Sequence, residues 1–192
     1  MNGLSRVLLA TAVLLPTVAT AQQAAQSQPF NYSYVEIGYD ESDFDVGPFD
    51  IDGDGLTLSG SFELTDDWHL YASYGTFDLD NNIDIDTLSL GAGYRHALKD
   101  NVDLYGRVLY ITSEADPGSA DEDGLGLQLR IRAMVADDLE VEGGIQHTDV
   151  GDSDTSLQAG VRYHFTNQFS AGLGLTFAGD TDGLGINARF SF

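Results

Sequence analysis

The residues best suited to chemistry are acidic, and few are grouped for it. Asp50, Asp52 and Asp54 stand in D-I-D-G-D-G, Asp50 to Gly55, the opening spacing of a calcium loop. The twelfth position of such a loop, which needs a bidentate glutamate, is Ser61. The spacing therefore supports loose divalent-cation binding by clustered oxygens, with a plain solvated acidic surface as the simpler reading. Asp84 and Asp86, with His147 and Asp149, could supply paired carboxylates and a histidine base. His147, however, shares the parity of Val141 and Ile145, an apolar face. His69 and His164 lack a ligand-spaced third partner. No nucleophile elbow or phosphate-cradling glycine loop occurs. The expectation is no catalytic residue, no metal site and no cofactor.

The elements that must position these residues are strands. Residues 1–21 come first as an exception: Arg6, the apolar run Val7 to Leu15, and Ala19-Thr20-Ala21 have the form of a cleaved secretory leader. Residues 22–29 form a polar linker, and 30–192 form one domain. From Asn31 onward apolar and polar residues alternate, predicting strands near 31–40, 55–64, 68–78, 85–98, 102–113, 124–135, 139–149, 155–165, 169–178 and 183–192. Segments of this length cross a bilayer when tilted. The expected fold is all-β, a ten-stranded antiparallel up-and-down transmembrane barrel, with eight strands as the alternative.

Four short connections share one pattern: L-T-D-D-W, L-K-D-N-V, V-A-D-D-L and F-T-N-Q-F, starting at Leu64, Leu98, Val135 and Phe165. Three-residue turns would keep the flanking apolar residues on one face, set Glu63 opposite His69, and set Arg132 opposite Glu142. The other connections, 41–54, 79–84, 114–123, 150–154 and 179–182, read as longer loops. Short turns alternating with longer loops predict periplasmic turns and termini, and extracellular loops.

The charges fit this division. The chain has 31 acidic and 8 basic residues and a formal charge of −23, which excludes nucleic-acid binding. Twenty-one of the acids fall in the predicted loops and the residues flanking them, 40–54, 78–86, 114–123, 149–154 and 180–182, where there is no lysine or arginine. Arg95, Arg107, Arg130, Arg132, Arg162 and Arg189 all take the polar parity of strands, with Glu36, Glu63, Glu140 and Glu142. An arginine facing lipid at mid-depth costs about 2–4 kcal/mol. These ten residues therefore point inward, as a paired lumen network or as solvated charges in a channel. Trp68, Tyr94, Phe165, Phe169, Phe190 and Phe192 would form a girdle at the turn end, with Tyr39, Tyr110 and Phe177 at the loop end.

The leader, the alternating strands, the acidic loops and the terminal R-F-S-F resemble small outer-membrane β-barrel proteins of the OmpA/OmpX-like class. The opening Y-S-Y-V-E-I-G-Y, Tyr32 to Tyr39, also resembles small barrels of xanthomonads linked to cell–cell signalling. The resemblance implies integral residence in the outer membrane, and Phe190 and Phe192 as the signal read by the barrel assembly machinery. Asp84, Asp86 and the His147–Asp149 couple resemble the catalytic groups of omptin proteases, which are longer chains. The function expected is non-catalytic: membrane integrity, surface interaction, or cation and ligand binding by acidic loops. A narrow porin-like channel is the alternative, and an omptin-like rim protease is a third reading. Expected partners are membrane lipid, lipopolysaccharide, the assembly machinery and divalent cations, with the chain as a monomer.

Overall fold

In the computed structural model the backbone is described at residues 30–46, 49–79, 83–116, 121–179 and 181–192, and side chains at these residues except 44–46 and 49–51. The predicted leader (1–21) and linker (22–29) lie outside the described residues. Ten strands run up and down: β1 Tyr34–Val46, β2 Phe49–Glu63, β3 Trp68–Leu79, β4 Ile83–Lys99, β5 Val102–Asp116, β6 Asp121–Ala136, β7 Leu139–Val150, β8 Asp152–His164, β9 Phe169–Ala178 and β10 Thr181–Ser191. Each pairs antiparallel with its chain neighbours, and β1 pairs with β10, closing the barrel. Closure satisfies every strand edge, which lipid requires.

The register follows the alternation. Glu63 opposes His69, and Arg132 opposes Glu142. Two turns are three-residue loops in which Leu64 N–H donates to Trp68 O at 2.8 Å and Phe165 N–H to Phe169 O at 3.0 Å. The other two differ from expectation. Lys99 opposes Val102 and Ala136 opposes Leu139 across two-residue turns, with bulges beside them between Ala97 and Lys99 and between Met134 and Ala136. Each bulge absorbs one residue, so beyond it the pairs match those a three-residue loop would set. Opposed residues followed around the wall from Glu63 through His69, Gly93, Arg107, Gln128, Gln146, Ser156, Ala178, Thr181 and Phe44 return to β2 at Ile51. That stagger, 63 − 51 = 12 residues around ten strands, tilts the strands by about 40°.

The outer wall is apolar. Leu58, Leu70, Leu90, Leu127, Leu129 and Leu173 are among its exposed side chains. Its turn end carries ring contacts, Trp68–Tyr94 at 5.1 Å, Tyr163–Phe165 at 5.1 Å and Phe169–Phe190 at 5.0 Å, the form of an interfacial girdle.

Two expectations need correction. The first strand starts at Tyr34 rather than Asn31, because Phe30 and Tyr32 turn into the lumen and bury against Tyr105. The predicted loops are largely strand. β1 runs on to Val46, β2 starts at Phe49, and a single glycine, Gly151 at φ 65°, separates the paired Val150 and Asp152. A side chain there would be strained and would meet the carboxylate of Glu122. These segments looked like loops because aspartate dominates them. Their alternation in fact continues with the faces exchanged. On β3 the outward series Trp68, Leu70, Tyr74 gives way to Asp78, while Phe77 and Leu79 turn inward. On β4 Asp84 and Asp86 point outward, and Ile83 and Ile85 inward.

Candidate functional site: the barrel lumen

The lumen is built in storeys, beginning at the turn end. Arg132 makes a two-pronged contact with Glu140, Nε and Nη2 each donating at 2.8 Å to its carboxylate. Arg130 Nη1 reaches Glu142 at 3.1 Å. Both pairs are diagonal although Arg132 and Glu142 are directly opposed. A long guanidinium stem reaches the next inward residue, about 7–8 Å away. Gly144 opposes Arg130 and leaves room for the stem, which a Cβ there would strike.

Around the same level Arg162 Nη2 and Arg189 Nε both donate to Oε2 of Glu36, at 2.7 and 2.8 Å. Arg95 pairs with Asp103 at 3.3 Å and also donates to the carbonyl of Asp66. Arg107 meets no carboxylate among the described residues. It donates to His69 Nε2 and to the Tyr34 hydroxyl, both at 3.1 Å, and lies 4.2 Å from the ring centroid of Tyr71. Gly93, opposite His69, is required here, because a Cβ would overlap the imidazole. Glu63 is half-buried and joins no ion pair among the described residues.

Below these pairs the N-terminal segment forms a plug. Tyr32 is 0 % exposed, 4.8 Å from the His69 ring and 5.6 Å from Tyr105, with Arg95 and Arg132 within 5.3 Å of its ring centroid. Phe30 packs beneath Arg132 at 4.6 Å. The tether is the last residue: Phe192 N–H donates to Ser33 O at 3.0 Å, and Asn31 Nδ2 donates to Phe192 O at 3.2 Å. Plug and ion pairs together make a buried floor. Above it many inward residues are small or amide and half-buried, among them Gly38, Thr57, Ser73, Gln146 and Gly174, while Leu109 and Ile111 on β5 are buried.

The structure thus gathers nine of the ten predicted lumen residues into contacts and leaves Glu63 beside them. It adds Tyr32, Tyr34 and Tyr105, and joins to them Asp103, whose place on the polar parity the alternation already gives. Tyr32 and Tyr34 share the parity of Glu36, and that was the available sign that aromatics occupy the inner face.

The cation-loop residues do not converge. Asp52 and Asp54 are exposed on the outer wall, opposite Asp43 and Glu41, and the side chain of Asp50 lies outside the described residues. Alternate strand residues stand roughly 6.6 Å apart, too far to wrap one ion at calcium–oxygen distances. Among the described residues no three histidine or acidic side chains are placed to hold a metal. His147 is exposed and meets Thr155 Oγ1 at 2.8 Å, on an outer wall three strands away from Asp84 and Asp86. Phe190 and Phe192 lie on the outer wall with ring centroids 6.4 Å apart.

Comparison with solved structures gives the fold. The chain is similar to the KdgM porin in complex with disordered oligogalacturonate, at 9% identity and TM-score 0.50, covering 82% of this chain and 99% of that one. It is similar to the β domain of the Bordetella autotransporter BrkA, at 12% identity and TM-score 0.50, covering 83% and 99%. Neisserial surface protein A aligns at 14% identity and TM-score 0.46, covering 83% and 96%. No curated protein matches the chain. The model of the outer membrane protein beta-barrel domain matches residues 10–189, and with its closed lipid-faced wall the chain belongs to that family of integral outer-membrane proteins.

Proposed function

We propose that the chain is a non-conducting, non-catalytic barrel that acts at the cell surface, with turns and termini in the periplasm and the acidic end outside. The observation that carries this reading is the buried floor, where His69, Glu140 and Tyr32 are each 1 % exposed or less. A ten-stranded barrel has little interior to spare, and side chains of this bulk fill it. The outside end offers an acidic collar. Glu41, Asp54, Asp78, Asp84 and Asp116 follow one another as directly opposed pairs on adjacent strands. Like charges so placed repel, and divalent cations bridging them to lipopolysaccharide phosphates would relieve the strain and anchor the barrel. Cation binding is thus diffuse over the collar. Phe190 and Phe192 serve as the assembly signal, and the barrel works as a monomer. The separation of His147 from Asp84 and Asp86 weighs against proteolysis.

Single-channel recording of the purified barrel in planar bilayers tests the reading. Silence is expected, and a steady open conductance would overturn it. One observation favours the second reading, a narrow porin-like channel. The plug leaves a cavity of about 930 Å³ open beside it at the turn end, with Arg132, His164 and Arg189 in its wall. A conductance that rises when Tyr32 is truncated would establish that alternative.

A further inference from the structure

We propose that this turn-end cavity is a binding site for a compact oxyanion, the carboxylate or phosphate of a small periplasmic molecule. Arg132, His164, Asn167, Arg189 and Ser191 are among its lining residues. The charge of the storey above does not balance. Among the described residues five of the six arginines share four carboxylates in ion pairs, Arg107 pairs with none, and Glu63 is a further carboxylate beside them. One oxygen of Glu36 serves both Arg162 and Arg189. Glu140, the carboxylate nearest His164, is already taken by Arg132 and by His164 Nε2 at 3.1 Å.

Arg189 has capacity left. Its Nε is used on Glu36 and its guanidinium carbon lies 3.9 Å from the Tyr34 ring centroid, while its two Nη groups make no hydrogen bond among the described residues. A guanidinium held over an aromatic ring with its Nη groups unspent offers a planar fork, the geometry that receives a carboxylate or phosphate through parallel N–H bonds. Ser191 and Asn167 place neutral polar groups on the same wall. Two acids oppose entry, Asp137 and Asp138 on the β6–β7 turn. Asp138 is engaged by the hydroxyl of Tyr163 on the outer wall. The site therefore favours small anions that pass the rim over extended acidic polymers.

Calorimetric titration of the folded barrel in a neutral detergent tests this, with inorganic phosphate in one arm and acetyl-D-alanyl-D-alanine in the other to separate phosphate from carboxylate. One saturable site is expected, weakened about tenfold by Arg189→Gln as a charged hydrogen-bond pair is lost. Arg189→Lys should restore part of the affinity, and Leu58→Ala on the lipid-facing wall should leave it unchanged. Glu36 keeps Arg162 in the glutamine variant, and heat-modifiable gel migration checks that it folds. If it does not fold, amide shifts of the unaltered barrel decide. Movement at Ser191 and Asn167 supports the site, whereas movement confined to Gly151 at the other end, or no saturation, overturns it. Conductance is read separately, so an open channel would sink the closed-floor reading and leave this site standing.

Discussion

The two ends of the barrel are built from the same alternating strands with opposite contents. Toward the turns, lipid meets leucine and the interior holds arginine–carboxylate pairs. Toward the loops, aspartates cover the outside and Phe77, Leu79, Ile83 and Ile85 turn inward. A strand has no preferred inside. The solvent around each level decides which parity is buried, and the chain changes its residues where that solvent changes. Half the molecule follows membrane logic and half the logic of a water-soluble barrel.

The largest effect on this comparison comes from the floor. Glu140→Gln leaves Arg132 buried without its carboxylate, and the expected loss is about 3–5 kcal/mol of unfolding free energy. Urea titration in lipid vesicles measures it, and a loss below about 1 kcal/mol would mean that the floor is wet and loosely paired. The wall tests the boundary next. Leu90→Arg sits in the apolar belt and should cost about 2–4 kcal/mol in the same assay. The smallest effect is expected six residues earlier on the same strand and face. Asp84→Arg should change stability by less than about 1 kcal/mol, in the stabilising direction, since Asp78 and Asp116 flank it. Equal costs at the two positions would abolish the distinction between the ends.

Much of this was legible in the sequence. Strand number, closure and register follow from the period-two pattern, because a slip of one residue would turn the leucines of the lipid belt inward. The inward arginines were legible for the same reason. The pairing among them was not: Arg132 opposes Glu142 yet bonds Glu140, while Arg130, its stem in the space over Gly144, takes Glu142, so stem length sets both diagonals. The long loops were overread because F-D-L and I-D-I alternate as regularly as the lipid belt, and only the level in the wall reveals which partner faces out. The plug was hidden in Tyr32, which is no more conspicuous in sequence than the lipid-facing Tyr39 seven residues later.

The clasp between Ser33 and Phe192 joins residues from the two ends of the described chain. Tyr32 sits in its pocket beside Ser33, whose carbonyl accepts from Phe192, so the seated ring and the closed seam share one clasp. Long-range closure of this kind is slow compared with forming a single hairpin. The burial of one tyrosine is thereby tied to closure of the β1–β10 seam. A barrel can be inserted, strand-paired and lipid-bound yet still unfinished, and the ring of Tyr32 would report the difference.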